Sequence, residues 1–225
     1  FNFDLSRSAN AFGFGLSAGL LFDLSDSFTL GASYKSKQWF SELEYNLREG
    51  DIDMRLMGGP VYPGGTYSLD LDFPQQAAVG MAWRAGERVT LAADLKWINW
   101  SDTMGELKVV GPDGYDFAMD PGWDDQLVYA LGLDILLTEQ LNLRFGFNYA
   151  ESPIDENNAA NNLILPGIVE DHYTFGLEYR FEHWDLAFHY MYAPENLVRA
   201  KTMFPGTVIS LEEQSVGINL GYRWD

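Results

Sequence analysis

The chain has 225 residues, no cysteine and a formal net charge of −19, because 33 acidic residues oppose 14 lysines and arginines. Such a negative chain repels phosphate, so its charge excludes a nucleic-acid partner. It contains no run of about 18 consecutive apolar residues, which excludes a membrane-spanning helix and leaves a β-barrel as the only form that could cross a membrane.

Apolar or aromatic residues alternate with small, polar or charged ones in segment after segment, which is the period of a β-strand. No segment has a convincing helical period, so we predict an all-β, antiparallel fold. In chain order, the nine predicted strands are residues 12–24, 28–37, 67–85, 89–100, 126–137, 141–149, 172–181, 184–192 and 214–224.

Each predicted strand has one apolar face and one face that carries the charge. In residues 89–97, Leu91 and Leu95 lie on the apolar face, while Asp94 and Lys96 lie on the other. A soluble sandwich would send these charges to bulk water, whereas a membrane barrel turns the apolar face to lipid and the charges into its lumen.

The connections between the strands favour the membrane barrel. Short connections alternate strictly with long ones: 25–27, 86–88, 138–140 and 182–183 are short, and 38–66, 101–125, 150–171 and 193–213 are long. Outer-membrane barrels have short periplasmic turns and long extracellular loops. Aromatic residues near the strand ends fit interfacial girdles: Trp39, Trp97, Trp100, Trp123, Tyr149, Trp184, Tyr192 and Trp224. The alternative, a soluble meander with an aromatic core, would have to bury charges from many strands.

The parity of the strands predicts that the barrel extends beyond this chain. If the short turns are periplasmic, the first strand begins outside the cell and the ninth ends in the periplasm. Bacterial single-chain barrels have an even number of strands and both termini on the periplasmic side. We therefore expect residues 1–225 to be the C-terminal portion of one longer barrel domain, with an odd number of strands before it.

Five short motifs follow one another along the chain: GFGLSAGLLF at 13–22, LGASYKSK at 30–37, LDLDFP at 69–74, WINWS at 97–101 and ESPI at 151–154. In their order and spacing they resemble the FadL/TodX/OmpP1 group of outer-membrane transporters. The resemblance implies a 14-stranded barrel, of which this chain would hold nine strands, without the N-terminal plug and the first strands. It also implies a bacterial outer-membrane protein that lies in lipid and is a monomer when full length.

The function implied by the resemblance is uptake of hydrophobic small molecules, such as long-chain fatty acids or aromatic hydrocarbons. Substrate would be captured by an apolar groove, diffuse through a plugged barrel and leave sideways into the membrane. Eight loop residues are candidates for apolar contact because methionines and aromatic side chains suit a nonspecific groove. They are Met54, Leu56, Met57, Val61, Tyr62, Phe117, Met119 and Trp123. The alternative for each is simple packing of the loop onto the rim.

One departure from the family bears on the substrate. In fatty-acid members, a lysine shortly before the strand that corresponds to residues 126–137 helps to hold the substrate carboxylate. Here that place falls near Met119, among Asp116, Asp120, Asp124 and Asp125. These carboxylates would repel an acid, so we expect a neutral hydrocarbon.

Twelve charged residues are predicted to face the lumen, where mutual pairing that fixes the barrel is the first interpretation and a polar path for substrate the second. They are Lys35, Lys37, Arg84, Asp94, Lys96, Asp134, Arg144, Glu178, Arg180, Asp185, His189 and Arg223.

Other functions have weaker support. A general porin or structural barrel would share the strand pattern, and a lipid hydrolase of the outer membrane is a further alternative. The sequence at 15–19 matches Gly-x-Ser-x-Gly, but its serine lies inside an alternating strand, whereas the nucleophile elbow requires a strand-to-helix turn. The three histidines lack metal-ligand spacing and the acidic loops lack that of a calcium loop. We therefore predict no enzyme, no catalytic residue, no metal and no cofactor.

Overall fold

A computed structural model describes residues 9–55, 58–202 and 204–224. These residues form fifteen strands, one helical turn and two 3-10 turns. The strands are β1 (Gly13–Phe14), β2 (Ser17–Ser25), β3 (Phe28–Lys35), β4 (Trp39–Phe40), β5 (Leu43–Leu47), β6 (Gly65–Leu69), β7 (Gln76–Arg84), β8 (Val89–Ile98), β9 (Leu107–Val110), β10 (Phe117–Met119), β11 (Gln126–Leu136), β12 (Leu141–Tyr149), β13 (Asp171–Arg180), β14 (Trp184–Arg199) and β15 (Val208–Tyr222). The helical turn is α1 (Ser101–Met104), and the 3-10 turns are Pro112–Gly114 and Ala159–Asn162.

Nine of these strands form one antiparallel sheet, which we call the wall. Its order is β2-β3-β7-β8-β11-β12-β13-β14-β15, so each wall strand pairs with the wall strands before and after it in the chain. The nine predicted strands correspond to these nine, which confirms the all-β, antiparallel prediction. Within the described ranges, no helix is both long and apolar enough to cross a membrane.

The two faces of the wall differ as the alternation predicts. On one face, large apolar side chains are exposed, as with Leu131 and Ile218, and we call this the apolar face. On the opposite face, Asp134 of β11 lies directly across from Arg144 of β12. Because side chains alternate along a strand, these pairings send the apolar set to one side and the charged set to the other.

The predicted strand over residues 67–85 is wrong as a single element. Residues 65–69 form β6 in a separate sheet, and the wall strand β7 begins only at Gln76. Pro74 lies between them, is fully buried, and has no backbone N–H for a ladder. Similarly, residues 12–24 divide into β1, which pairs with β4, and the wall strand β2.

The last predicted long loop is instead a β-hairpin. β14 continues to Arg199, well beyond its predicted end at residue 192. β15 already begins at Val208, well before its predicted start at residue 214. A bulge around Pro194 places two residues of β14 opposite one of β15, which accommodates the missing proline N–H and lets pairing resume at Asn196.

The first two long loops carry a small sheet of their own. β5 and β6 come from the first loop, residues 36–75, and β9 and β10 come from the second, residues 99–125. They pair in the order β10-β9-β6-β5, so the contact of β6 with β9 joins the two loops. The third loop, residues 150–170, packs beside the extended β14–β15 hairpin.

Candidate functional site

The small loop sheet supports a core of aromatic and aliphatic side chains, which we call the first apolar cluster. Its buried members are Ile52, Tyr62, Tyr67 and Val109, and its half-buried members are Leu47, Met54, Leu69, Phe117 and Met119. Both loops contribute, so the cluster exists only where β6 and β9 pair. Tyr62 meets the edge of Phe117 at a ring distance of 5.3 Å and that of Tyr115 at 5.9 Å. Such edge-to-face contacts add to the burial of apolar surface.

Local sequence explains how the first loop reaches this cluster. Residues 48–55 and 58–63 contact one another, with Tyr62 N–H donating to Ile52 O at 2.9 Å and Met54 N–H to Pro60 O at 3.0 Å. Gly58 has a φ of 78°, which favours glycine. The Tyr67 hydroxyl donates to Pro63 O at 2.8 Å, which gives this buried polar atom a partner. Burial among apolar groups raises the Tyr67 pKa.

Two cations of this loop sheet are paired with carboxylates. Arg55 donates to Asp53 through both Nε and Nη2, the latter at 2.5 Å to Oδ2. These hydrogen bonds lower the Asp53 pKa to about 2 and raise that of Arg55. The Lys108 ammonium lies 3.7 Å from the Asp116 carboxylate. Each of these positive charges therefore has a negative neighbour.

A second apolar cluster forms where the third loop meets the β14–β15 hairpin. Its buried members are Ile154, Ala159, Ala160, Ile168, Ala200 and Ile209, with Trp123, Val198 and Leu211 packed against it. Asn162 joins this cluster to the second loop, since its Oδ1 accepts from Trp123 Nε1 at 2.7 Å and its Nδ2 donates to Pro121 O at 2.7 Å.

The third loop is also held by polar contacts at its surface. Burial opposes the charged form of Asp155, but hydrogen bonds from Asn157 and Asn158 outweigh it and lower the Asp155 pKa. The Lys201 ammonium pairs with Glu156, which raises the Lys201 pKa. The third loop and the hairpin therefore act as one layer above the wall.

The predicted contact residues divide between these two clusters. Four of the eight lie together in the first apolar cluster: Met54, Tyr62, Phe117 and Met119. Trp123 packs on the second cluster instead, and Val61 is more than one-third exposed at the edge of the first. Leu56 and Met57 lie outside the described residues.

The first apolar cluster also contains residues that the sequence analysis missed. Ile52, Tyr67 and Val109 are its buried centre, yet none was a candidate. The alternation of Leu107 and Val109 with exposed neighbours in β9 was a usable signal. For Tyr67, the signal was hidden because residues 67–85 read as one strand.

Ion pairs cross the polar face of the wall from strand to strand. Arg144 Nε donates to Asp134 Oδ2 at 2.9 Å, and Arg144 Nη2 donates to Glu178 Oε2 at 2.6 Å. Arg180 Nε donates to Glu178 Oε1 at 2.8 Å. Opposite charges therefore alternate from β11 through β12 to β13, in a row that we call the charge ladder.

Two further cations form ion pairs at opposite ends of the wall. Arg223, one residue beyond β15, donates to Asp185 at 2.9 Å near the short turns. Lys37 lies two residues beyond β3, so it belongs to the first loop rather than to the wall. Its ammonium is 3.4 Å from Asp72 and 3.2 Å from Asp102, which links the first two loops at the rim. Burial lowers the Lys37 pKa, but the neighbouring carboxylates of Asp102 and Asp72 raise it by more.

Two other predicted lumen residues lie flat over glycines on the polar face. A Cβ at Gly80 would collide with the Asp94 carboxylate, and a Cβ at Gly217 would collide with the His189 ring. The remaining predicted lumen residues are Lys35 at the end of β3, Arg84 at the end of β7 and Lys96 within β8. Arg84 Nη1 donates to Asp26 O at 3.1 Å.

The Gly-x-Ser-x-Gly match falls in an extended segment. Ser17 is the first residue of β2 and pairs with Lys35 of β3, and the strand then continues to Ser25. A nucleophile elbow places its serine on a sharp turn between a strand and a helix. The backbone at Ser17 does not have that form.

Comparison with known proteins gives a consistent set of relatives. The family described as "Outer membrane protein transport protein (OMPP1/FadL/TodX)" matches residues 5–223. The "47 kDa outer membrane protein" of Pasteurella multocida is 27% identical over 180 residues, which are 75% of this chain and 40% of that protein. The "Long-chain fatty acid transport protein" of Escherichia coli is 25% identical over 177 residues, 75% of this chain and 39% of that protein.

Solved structures confirm the barrel fold. The crystal structure of the Pseudomonas putida toluene transporter TodX superposes with a TM-score of 0.68 at 26% identity, covering 94% of this chain and 49% of that one. This chain spans about two-fifths of the curated relatives and about half of the solved one. The wall is therefore part of a bacterial outer-membrane β-barrel. In such barrels an apolar face meets lipid and a polar face lines the lumen. The chain belongs to the outer-membrane transport family that includes OmpP1, FadL and TodX.

Proposed function

We propose that the protein containing this chain takes up neutral hydrophobic molecules across the outer membrane, and that the first apolar cluster is their extracellular capture site. Family membership supports transport of hydrophobic substrates in general. The finer assignment depends on the chemistry of the loops.

The position and composition of the cluster support capture. It comes from the two long loops, so it lies on the extracellular side of the wall. Met54 and Met119 are only half-buried, and Val61 and Tyr115 beside them are exposed. Flexible methionines next to aromatic rings can adapt to ligands of different shape. Binding of an apolar molecule here is favourable because its apolar surface is removed from water.

The charge around the cluster supports a neutral substrate, and this is the observation on which the proposal depends. Residues 109–125 contain five aspartates and no lysine or arginine. Two cations of the loop sheet, Arg55 and Lys108, pair with Asp53 and Asp116. A substrate carboxylate at Met119 would meet the negative charge of this segment, so its ionised form would be disfavoured.

The test compares a neutral ligand with an acid of the same length. Full-length protein in detergent is titrated with dodecane and with dodecanoate, and the ratio of the two affinities is measured. Met119→Lys places an ammonium in the cluster, so we expect the ratio to shift toward dodecanoate by about ten-fold.

Val110→Lys is the matched control, because Val110 follows Val109 in β9 but points to the exposed side. It adds the same charge outside the cluster and leaves the ratio within about two-fold. If Met119→Lys and Val110→Lys change the ratio equally, the cluster is not the capture site. Tight binding of dodecanoate by the unaltered protein would contradict the assignment to neutral substrates.

A further inference from the structure

Two aspartates, Asp72 and Asp125, each close the stem of one long loop. The first loop leaves the wall after β3 and returns at β7, and there Phe40 N–H donates to Asp72 Oδ1 at 2.8 Å. The second loop leaves after β8 and returns at β11, and there Ser101 N–H donates to Asp125 Oδ1 at 3.0 Å. In each loop, a residue near the end therefore binds one near the beginning, so each loop is closed on itself beside the wall.

The two closed loops meet in a narrow contact where the first apolar cluster forms. β6 and β9 share two register positions. Side chains then pack across the boundary, as where the Tyr62 ring meets Phe117 at 5.3 Å. A ladder this short does little to fix the angle between two loops, because a pair of short strands is only marginally stable by itself. A contact closer to the wall can therefore determine how the two loops are positioned.

Lys37 makes such a contact. Its ammonium lies 3.4 Å from Asp72 Oδ2 and 3.2 Å from Asp102 Oδ2, so one cation pairs with the stem of each loop. Asp102 directly follows Ser101, the residue that Asp125 binds. The side chains of Lys37 and Asp72 are 26% and 20% exposed, so water and salt screen their attraction less than that of a fully exposed pair.

Without the ammonium, the carboxylates of Asp72 and Asp102 would repel each other. Both contact the same Nζ atom, so they lie close together. Like charges at short range destabilise the arrangement that brings them together. Because Asp72 belongs to the first loop and Asp102 to the second, this repulsion would act across the boundary between the loops. Lys37 therefore makes an otherwise repulsive boundary attractive.

We propose that Lys37 is a positioning residue of the capture site, which holds the first two loops in the arrangement that forms the first apolar cluster. The inference rests on the proposed function, because it concerns how that capture site is built. Lys37 acts through Asp72 and Asp102 and does not contact the substrate. The half-buried methionines Met54 and Met119 come one from each loop, so a ligand between them is held only while the loops stay together.

The test measures two quantities in the full-length protein in detergent: its affinity for dodecane and the distance between two spin labels. The labels are attached to cysteines at Glu44 in β5 and at Glu106 just before β9, which are both exposed. These 225 residues contain no cysteine of their own. Lys37→Met removes the ammonium, and we expect about five-fold weaker binding of dodecane and a wider distribution of label distances.

Two further variants separate the charge of Lys37 from its shape. Lys37→Arg keeps the positive charge, so we expect an affinity within about two-fold of that of the unaltered protein. Lys37→Met combined with Asp102→Asn removes the repulsion across the boundary, so we expect it to bind dodecane about two-fold more tightly than Lys37→Met alone. A second substitution would not relieve a simple loss of packing.

Lys201→Met is the matched control. Lys201 pairs with Glu156 and joins the β14–β15 hairpin to the third loop, so this variant removes the same charge and the same kind of ion pair outside the first two loops. We expect the dodecane affinity and the label distances to stay unchanged. Heat-dependent migration on gels verifies that each variant is a folded barrel.

Four results would overturn the proposal: unchanged dodecane affinity in Lys37→Met, weaker binding with unchanged label distances, Lys37→Arg as weak as Lys37→Met, and Lys37→Met equally weak with and without Asp102→Asn. If one of them occurs while Met119→Lys still shifts the ratio of affinities, only the role of Lys37 is wrong. If Met119→Lys and Val110→Lys change that ratio equally, the capture site itself is wrong.

Discussion

The wall and the loop layer use the same kinds of side chain in opposite ways. In the wall, Leu131 and Ile218 are exposed on one face, while Arg144 and Glu178 pair on the other. In the loop layer, Ile154 and Ile168 are buried and charged side chains lie outside. The difference is the solvent. An outer-membrane barrel has lipid outside its wall and a polar interior, whereas water surrounds its loops, so we expect each region to turn its apolar surface away from water.

This comparison predicts that truncating an isoleucine of the third loop strongly destabilises the loop layer only if that isoleucine is buried. Ile168→Ala removes a side chain that is 0% exposed from the second apolar cluster, and we expect the loop layer to lose about 2–5 kcal/mol of stability. Limited proteolysis of the third loop measures this loss. Ile164→Ala, at a residue 73% exposed in the same loop, is the control with no effect. Equal sensitivity of the two variants would show that the cluster is not a core.

A charge on the wall has an effect that depends on its face. Leu131→Arg places a guanidinium on the lipid-facing surface near the middle of β11, and we expect a loss of about 2–4 kcal/mol. Ala130→Arg places the same group on the lumen side, across from Asp94, where it is tolerated. Urea unfolding of the full-length protein in lipid vesicles compares them. A lumen variant as unstable as the lipid-facing one would contradict the assignment of the faces.

The charge ladder predicts a smaller effect. Glu178→Gln weakens the contacts of Arg144 and Arg180, and we expect a loss of about 1 kcal/mol because both arginines are about half exposed. Glu182→Gln changes an exposed glutamate in the adjacent turn and leaves the unfolding midpoint unchanged. If increasing salt does not reduce the difference between these variants, the ladder does not act through its charges.

The smallest effect concerns the pH response of the first loop. Hydrogen bonds from Arg55 lower the Asp53 pKa to about 2, below its usual value of 3.8. The contact therefore stabilises the loop fully above the unfolded value and is lost as pH falls through about 2. NMR titration of Asp53 measures this, and Arg55→Gln returns the pKa toward 3.8. A pKa of Asp53 already near 3.8 in the unaltered protein would show that the pair does not form in solution.

Alternation predicted the wall because the period of a strand is local. The pattern in residues 126–137 already contains the two faces of β11, and no distant contact is needed to read it. The loop sheet could not be predicted in this way. β9 and β10 have only four and three residues, and β6 finds its partner β9 about forty residues away.

The candidate site was predictable only in its composition. Met54, Tyr62, Phe117 and Met119 stood out as adaptable apolar residues, and they do lie together. Trp123 looks the same in the sequence, yet it joins the second cluster because Asn162 accepts its Nε1–H from the third loop. A contact between two loops has no local signature, so the division between the clusters required the structure.

The glycines under Asp94 and His189 have a consequence for the width of the pore. With no Cβ at Gly80 or Gly217, each polar side chain rests against the wall rather than projecting into the lumen. The free cross-section of the barrel at the level of Gly80 and Gly217 therefore depends on these two glycines as well as on the number of strands. Changing either glycine to alanine would push a charged or aromatic group toward the pore axis and narrow it, while every strand stays in place.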